Sequence, residues 1–124
     1  MRVEVRLTLS GGYYADDLST SLDIHSVDVE RYQYVLGLPE QFVQALDLRP
    51  HIAWVEERPT GRHEVIRCGP VKVQFEDRWA HTECRPLPRG ATPILDRGTM
   101  TMLGLELDES TRVIVKLPEP YLRA

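Results

Sequence analysis

The residues with chemistry to offer are scattered along this chain rather than gathered in one signature. Asp28 lies in the stretch SVDVERYQYVLGLPEQFVQALDL (26–48), where a strand-like run carrying a carboxylate feeds an apolar VLGLP and then an amphipathic helix. A carboxylate so placed is a candidate catalytic residue. His25, His51, His63, His81, Cys68 and Cys84 are candidate metal ligands, but their spacing suits zinc poorly. HTEC sets His81 and Cys84 three apart, which in a strand sends the two side chains to opposite faces, and no second close pair completes a tetrahedral set. No metal and no cofactor are expected. A serine or cysteine hydrolase has no support either, because no G-x-S-x-G occurs and neither cysteine stands at a helix N-terminus that would lower its pKa. SGG (10–12) and PRG (88–90) are ordinary turns rather than phosphate cradles.

The elements that must position these groups are mostly strands. Val3, Val5, Leu7 and Leu9 alternate with polar residues at the period of a half-buried strand, and GGYY then marks a turn. LSTSLDIH (18–25) alternates again and pairs with the first strand as a hairpin, with Val27 and Val29 continuing it after a shift of face. At LPEQFVQALDL the period changes. Pro39 and Glu40 suit a helix start, and Phe42, Val43 and Leu46 fall on one face. HIAWVEE, HEVIRCG, VKVQF and WAHTECRPL are four strand candidates separated by turns at RPTGR, GP and EDR. A short apolar run precedes a brief helix at 97–103, closed by Gly104, and TRVIVKL forms a final strand. ALDL (45–48) and MLGLEL (102–107) each follow an apolar run and a short helix, a weak internal echo.

Composition narrows the class. A chain of 124 residues with 42% hydrophobic and 27% charged residues is expected to be one globular domain, 1–124. With 15 basic against 19 acidic residues and no basic run, nucleic acid is not expected as a partner. No segment approaches the roughly 20 apolar residues of a spanning helix, and the N-terminus lacks a signal-peptide core, so no membrane association and a cytoplasmic location are expected. Cys68 and Cys84 read as buried or half-buried free thiols in a reducing compartment, with a disulfide as the lesser alternative. Trp54 and Trp79 read as sheet-face or core residues.

VLGLPEQFVQALDL, RPTGRHEVIRCGPVKVQFEDRWAHTECRPLP and TPILDRGTMTMLGLELDESTRVIVKLP, taken in order, resemble the retropepsin-like (retroviral-type) aspartic proteases, particularly their small bacterial branch. The resemblance covers nearly the whole chain. It implies a mainly β fold, a retropepsin-like closed β-barrel with a hairpin flap and one or two short helices. It also implies a homodimer in which each subunit supplies one aspartate, since two carboxyls about 3 Å apart split their pKa values into a base and an acid. Thr60, Gly61 and Arg62 would form the flap tip. An extended peptide or protein segment would be the ligand, gripped as an added strand.

The active-site loop departs from the Asp-Thr-Gly-Ala pattern. With Asp28 as the catalytic residue, Val29, Glu30 and Arg31 replace Thr-Gly-Ala; with Asp23 instead, Ile24, His25 and Ser26 do. Neither alternative has the glycine that lets backbone N–H groups approach the carboxylates. Asp96 stands in PILD where the family has glycine, and its side chain suits the cap of the following helix. The expected function is therefore a catalytically impaired retropepsin-like domain serving as a peptide-binding or assembly module. The alternative is an active homodimeric aspartic peptidase using Asp28 from each subunit.

Overall fold

A computed structural model of the chain describes residues 1–11, 20–30 and 35–118. Alternating apolar residues in the first two strand candidates make a long hairpin, β1 (Arg2–Gly11) with β2 (Ser21–Glu30). Val3, Val5, Leu7 and Leu9 of β1 are all buried. The expected shift of face is present: the register slips between Glu4 and Leu7, so both Ile24 and Val27 turn into the core although they are three apart. The turn expected at GGYY and the start of LSTSLDIH lie largely outside the described residues.

VLGLP, an apolar run in the sequence, contributes the strand β3 (Leu36–Pro39), buried along its whole length. It passes directly into α1 (Glu40–Ala45), for which Pro39 is the extended N-terminal flank and Glu40 the acidic first-turn residue. β4 (Arg49–Arg58) and β5 (Gly61–Phe75) follow, joined at Pro59–Thr60 with Gly61 at φ 118°, a conformation open to glycine. The GP turn expected to separate HEVIRCG from VKVQF is instead a bend within the single fifteen-residue β5. The peptide Gly69–Pro70 is cis, Gly69 has φ 152°, and the pairing with β6 (Arg78–Leu87) shifts register between Cys68 and Val71. The chain kinks there and continues, because the partner strand tracks it through the bulge.

The apolar run near 94 is β7 (Ile94–Asp96), followed by α2 (Arg97–Leu103), where expected. Asp96 caps α2, its Oδ2 accepting from the Thr99 N–H at 3.1 Å, and Gly104 closes it in the left-handed region at φ 65°. The end of the chain forms a small separate hairpin, β8 (Leu105–Asp108) with β9 (Val113–Lys116).

The molecule is mainly β. Seven strands lie in the order β1-β2-β7-β3-β6-β5-β4, and β1 also pairs with β5, so the first six close into a ring. β7 joins β2 in parallel, β3 joins β6 in parallel, and Gly37 opposes Ile94 where β3 meets β7. The weak sequence echo thus coincides with two strand–helix units, β3–α1 and β7–α2, paired with each other inside the ring. Leu7, Leu9, Leu36, Leu38, Val71 and Leu95 are almost fully buried inside it. Each such side chain contributes about 1.5–3 kcal/mol on leaving water. β4 stands apart as an added outer strand. β5 divides its pairing, with Gly61–Gly69 paired to β4 and Val71–Gln74 to β1, so the β4–β5 hairpin projects from the ring. Among the described residues, no helix is long and apolar enough to cross a membrane.

Candidate functional site

The two candidate carboxylates share a strand but not an environment. Five residues of strand separate them, about 16 Å at the usual rise. Asp23 lies on the exposed face of the β1–β2 hairpin, opposite Thr8. Thr8 Oγ1 donates to its Oδ1 at 2.7 Å and Arg6 Nη2 to its Oδ2 at 3.1 Å. These bonds, the Thr8 hydroxyl first and then the Arg6 guanidinium, hold the Asp23 carboxyl below its ordinary range. A carboxylate so held is a poor proton carrier near neutral pH.

Asp28 is half-buried inside β2, opposite Arg2 of β1 and Ile94 of β7. Its backbone N–H donates to the Pro93 carbonyl at 2.8 Å, which ties this point of β2 to the start of β7. Asp28 therefore stands within a strand, while β2 runs on through Val29 to Glu30. Glu30 opposes Asp96, the residue that heads α2. Arg31, the last of the residues in place of Thr-Gly-Ala, lies outside the described residues.

The strand end beside α2 carries a feature not anticipated from sequence. Glu30, Arg97, Glu106 and Glu109 line an open groove of about 620 Å³ floored by Met100 and Leu105. It runs between the end of β2, the outer side of α2 and the β8–β9 hairpin. Three carboxylates and one guanidinium on an apolar floor suit a mixed polar and apolar partner surface. The sequence contained one usable signal, the string of acidic residues around LELDES beside a helix, but the neighbour Glu30 comes from a strand more than seventy residues away. Asp96 is itself buried at 1% exposure, with both oxygens engaged by Thr99, through its N–H and its hydroxyl. It is a structural cap in the place where the family resemblance puts glycine.

Thr60, Gly61 and Arg62 sit together at the tip of the β4–β5 hairpin, all exposed. The Thr60 hydroxyl and His63 Nε2 are hydrogen-bonded at 2.7 Å, and Arg62 Nε lies 3.2 Å from Glu57 Oε1 across the two strands. Glu56 accepts from Arg58 Nε at 2.9 Å and from the Trp54 indole at 3.1 Å. Those two donors, Arg58 first, hold the Glu56 carboxyl below its ordinary range. The tip is thus internally cross-linked by polar contacts, while Ile52, Trp54 and Val55 leave apolar surface exposed along β4. Arg67 lies over the Trp54 ring at 4.8 Å and Lys72 over the Trp79 ring at 5.0 Å. Both indoles are about half-exposed, so they decorate sheet faces and are not core residues.

A shallow depression of about 370 Å³ lies beside Asp23, bounded by Arg2, His25, Phe42 and Pro93, and a separate one beside the hairpin tip is lined by Val55, Arg62, His63 and Glu64. Within this one chain the hairpin tip and Asp23 line different depressions, and Asp28 lines none of the three cavities. Among the described residues, no three of the His, Cys, Asp and Glu side chains cluster so as to hold a metal ion. No protein-family model and no curated protein matches this chain.

Proposed function

We propose that this chain is a retropepsin-like domain that has lost peptide-cleaving chemistry and acts as a homodimeric peptide-binding or assembly module. The observation that carries the reading is the β4–β5 hairpin, which leaves the six-stranded ring and offers an outermost strand with nine of its ten residues exposed. An outer strand takes an extended partner through main-chain hydrogen bonds, with alternate side chains read by the flanking surface, and this needs no catalytic carboxylate. The ring corresponds to the family's barrel and the hairpin to its flap, with Thr60, Gly61 and Arg62 at the tip. The loss of chemistry is supported by the side-chain bonds that occupy Asp23 and by a buried Asp96 in a glycine position.

A second reading, an active homodimeric aspartic peptidase, draws on Asp28. It is half-buried and its backbone is held between β1 and β7, a rigid support for a carboxylate meeting its symmetry mate. One experiment separates the two. The protein, at concentrations that favour a dimer, is incubated with a diverse peptide library between about pH 4 and 7, where a carboxylate dyad works. The expected outcome is retention of extended peptides without cleavage. Cleavage that Asp28→Asn abolishes and Asp23→Asn leaves unchanged would establish the peptidase instead.

A further inference from the structure

Cys68 and Cys84 are register partners on neighbouring antiparallel strands. They form the β5–β6 pair next to the bulge, and both are buried, at 2% and 0% exposure. Directly opposed residues of an antiparallel pair lie on the same face, with Cα atoms roughly 4.5 or 5.5 Å apart according to their place in the ladder. Both values fall inside the range of about 4.4–6.8 Å that a disulfide spans without backbone movement. The sequence alone favours free thiols over a disulfide, because sixteen positions of chain separate the two residues and the register that joins them is not written in either strand. We infer that Cys68 and Cys84 form a reversible cross-strand disulfide, a redox staple that joins the base of the projecting β4–β5 hairpin to the ring.

The location gives the bond a mechanical consequence. Cys68 is the point at which β5 changes partners, facing Pro50 of β4 on one side and Cys84 of β6 on the other. Cys84 in turn lies beside Leu36 of the fully buried β3. A sulfur bridge there would anchor the hairpin to β6 beside the fully buried β3. The reduced form would keep a hairpin whose root is held by strand pairing and packing alone.

The same burial determines how the bond can form. Burial, with the Glu83 carboxylate nearby, pushes both thiols up, and Cys84 reaches about 12. The thiolate is the nucleophile, so neither sulfur reacts rapidly while the sheet is closed. Cys68 is the entry point, since its outer neighbour is the edge strand β4 and Pro50 there has no N–H to give to the ladder. When β4 lifts, the Cys68 thiolate attacks a small disulfide oxidant such as oxidised glutathione. One glutathione thiolate leaves and a mixed disulfide remains on Cys68. The Cys84 thiolate then attacks the Cys68 sulfur, expels the second glutathione thiolate and closes the protein disulfide. Two protein thiols lose their protons and two electrons, and one oxidised glutathione becomes two reduced molecules. The inference stands on strand register and burial and does not depend on the protease-like reading.

The test uses the whole chain, held in oxidised glutathione and then unfolded and treated with iodoacetamide. The expected result is loss of both alkylatable thiols, an intact mass lower by two hydrogens, and a peptide map linking Cys68 to Cys84 within one chain. Tm rises by roughly 10 °C relative to the reduced protein, as expected for closing a loop of this length. In Cys84→Ser the reaction stops at a glutathione adduct on Cys68, whereas in Cys68→Ser adduct formation on Cys84 is at least several-fold slower. Two thiols still open to alkylation after prolonged exposure, a glutathione adduct that persists on the unsubstituted chain, or a link only between chains would overturn the inference. If a serine variant does not fold, the peptide map of the unsubstituted chain still decides.

Discussion

Arg78 illustrates how much one buried side chain can hold together. Only 5% exposed, it donates through Nη1 to the Gly104 carbonyl at 2.8 Å and the Leu103 carbonyl at 3.3 Å, and through Nη2 to the Leu117 carbonyl. These are the orphan carbonyls at the end of α2 and the carbonyl that follows β9, so one guanidinium joins three segments. Arg78→Met keeps the volume and deprives those carbonyls of their charged donor. It should lower unfolding free energy by about 3 kcal/mol, measured by urea denaturation. Asp96→Ala removes the α2 cap and leaves Thr99 without its acceptor, at an expected cost of about 1–2 kcal/mol, while Asp96→Asn should retain most of the stability. The exposed Asp23 gives a pH signature. Its folded pKa is depressed, so its contribution is complete above the unfolded value near 4 and is lost as pH falls through the lower folded value. Asp23→Asn should therefore flatten the acid limb of a Tm–pH profile and leave the slope above pH ~5 unchanged. An unaltered acid limb would show that the Thr8 and Arg6 bonds do not set that titration.

At the scale of elements, the design problem is how a long strand serves two partners. β5 meets it with a bend at Gly69–Pro70, where a Cβ on Gly69 would come within 3.3 Å of the Glu83 Cα and the Thr82 carbonyl oxygen. The junction of β1 with α1 depends on glycine for a different reason. A Cβ on Gly11 would fall 2.7 Å from the Leu46 carbonyl oxygen, too close for any side chain without moving backbone. Gly11→Ala should destabilise by about 1–3 kcal/mol, read from the shift of the denaturation midpoint. The projecting hairpin differs from these rigid junctions. Its β4 strand is bonded on one side only among the described residues, so hydrogen exchange at Ile52–Arg58 should be faster by orders of magnitude than at Leu36–Pro39 or Val71–Phe75. Equal protection of the two sets would contradict the division of β5 between hairpin and ring.

The whole molecule is assembled by contacts between distant parts of the chain. The ring closes through β1 with β5, β2 with β7 and β3 with β6, and Asp28 meets Ile94 across 66 positions. Loop closure must precede the reward of such pairings, so folding should be a single cooperative process on the scale of roughly milliseconds to seconds. Stopped-flow fluorescence from Trp54 and Trp79 measures this, and microsecond folding would be inconsistent with the ring. The proposed dimer belongs to this scale too. If the proposed dimer seats on the groove at Glu30, Arg97 and Glu106, beside the exposed Val113 and Val115 of β9, charge reversal there should shift the monomer–dimer equilibrium. Glu30→Lys is the variant, and sedimentation equilibrium the measurement.

What the sequence by itself determined was local. The alternation in β1, the period change at Pro39, the turn at Pro59–Thr60 and the Asp96 and Gly104 caps of α2 depend on neighbours within a few residues, and each is legible in the order of side chains. Even the shift of face before Val27 left its mark as two apolar residues three apart. What only the tertiary structure decided was register. The buried strands β3 and β7 are too short to declare their type, and the GP dipeptide reads as a turn unless a partner strand carries the chain across it. The same holds for chemistry. Asp23 became occupied because Thr8 lies opposite it and Arg6 reaches it from two residues along the same strand, Glu30 reached the groove because β2 pairs with β7, and two solitary cysteines became neighbours because β5 meets β6 at that one step. Side-chain type limits what a residue can do, whereas pairing between strands distant in sequence decides what it meets.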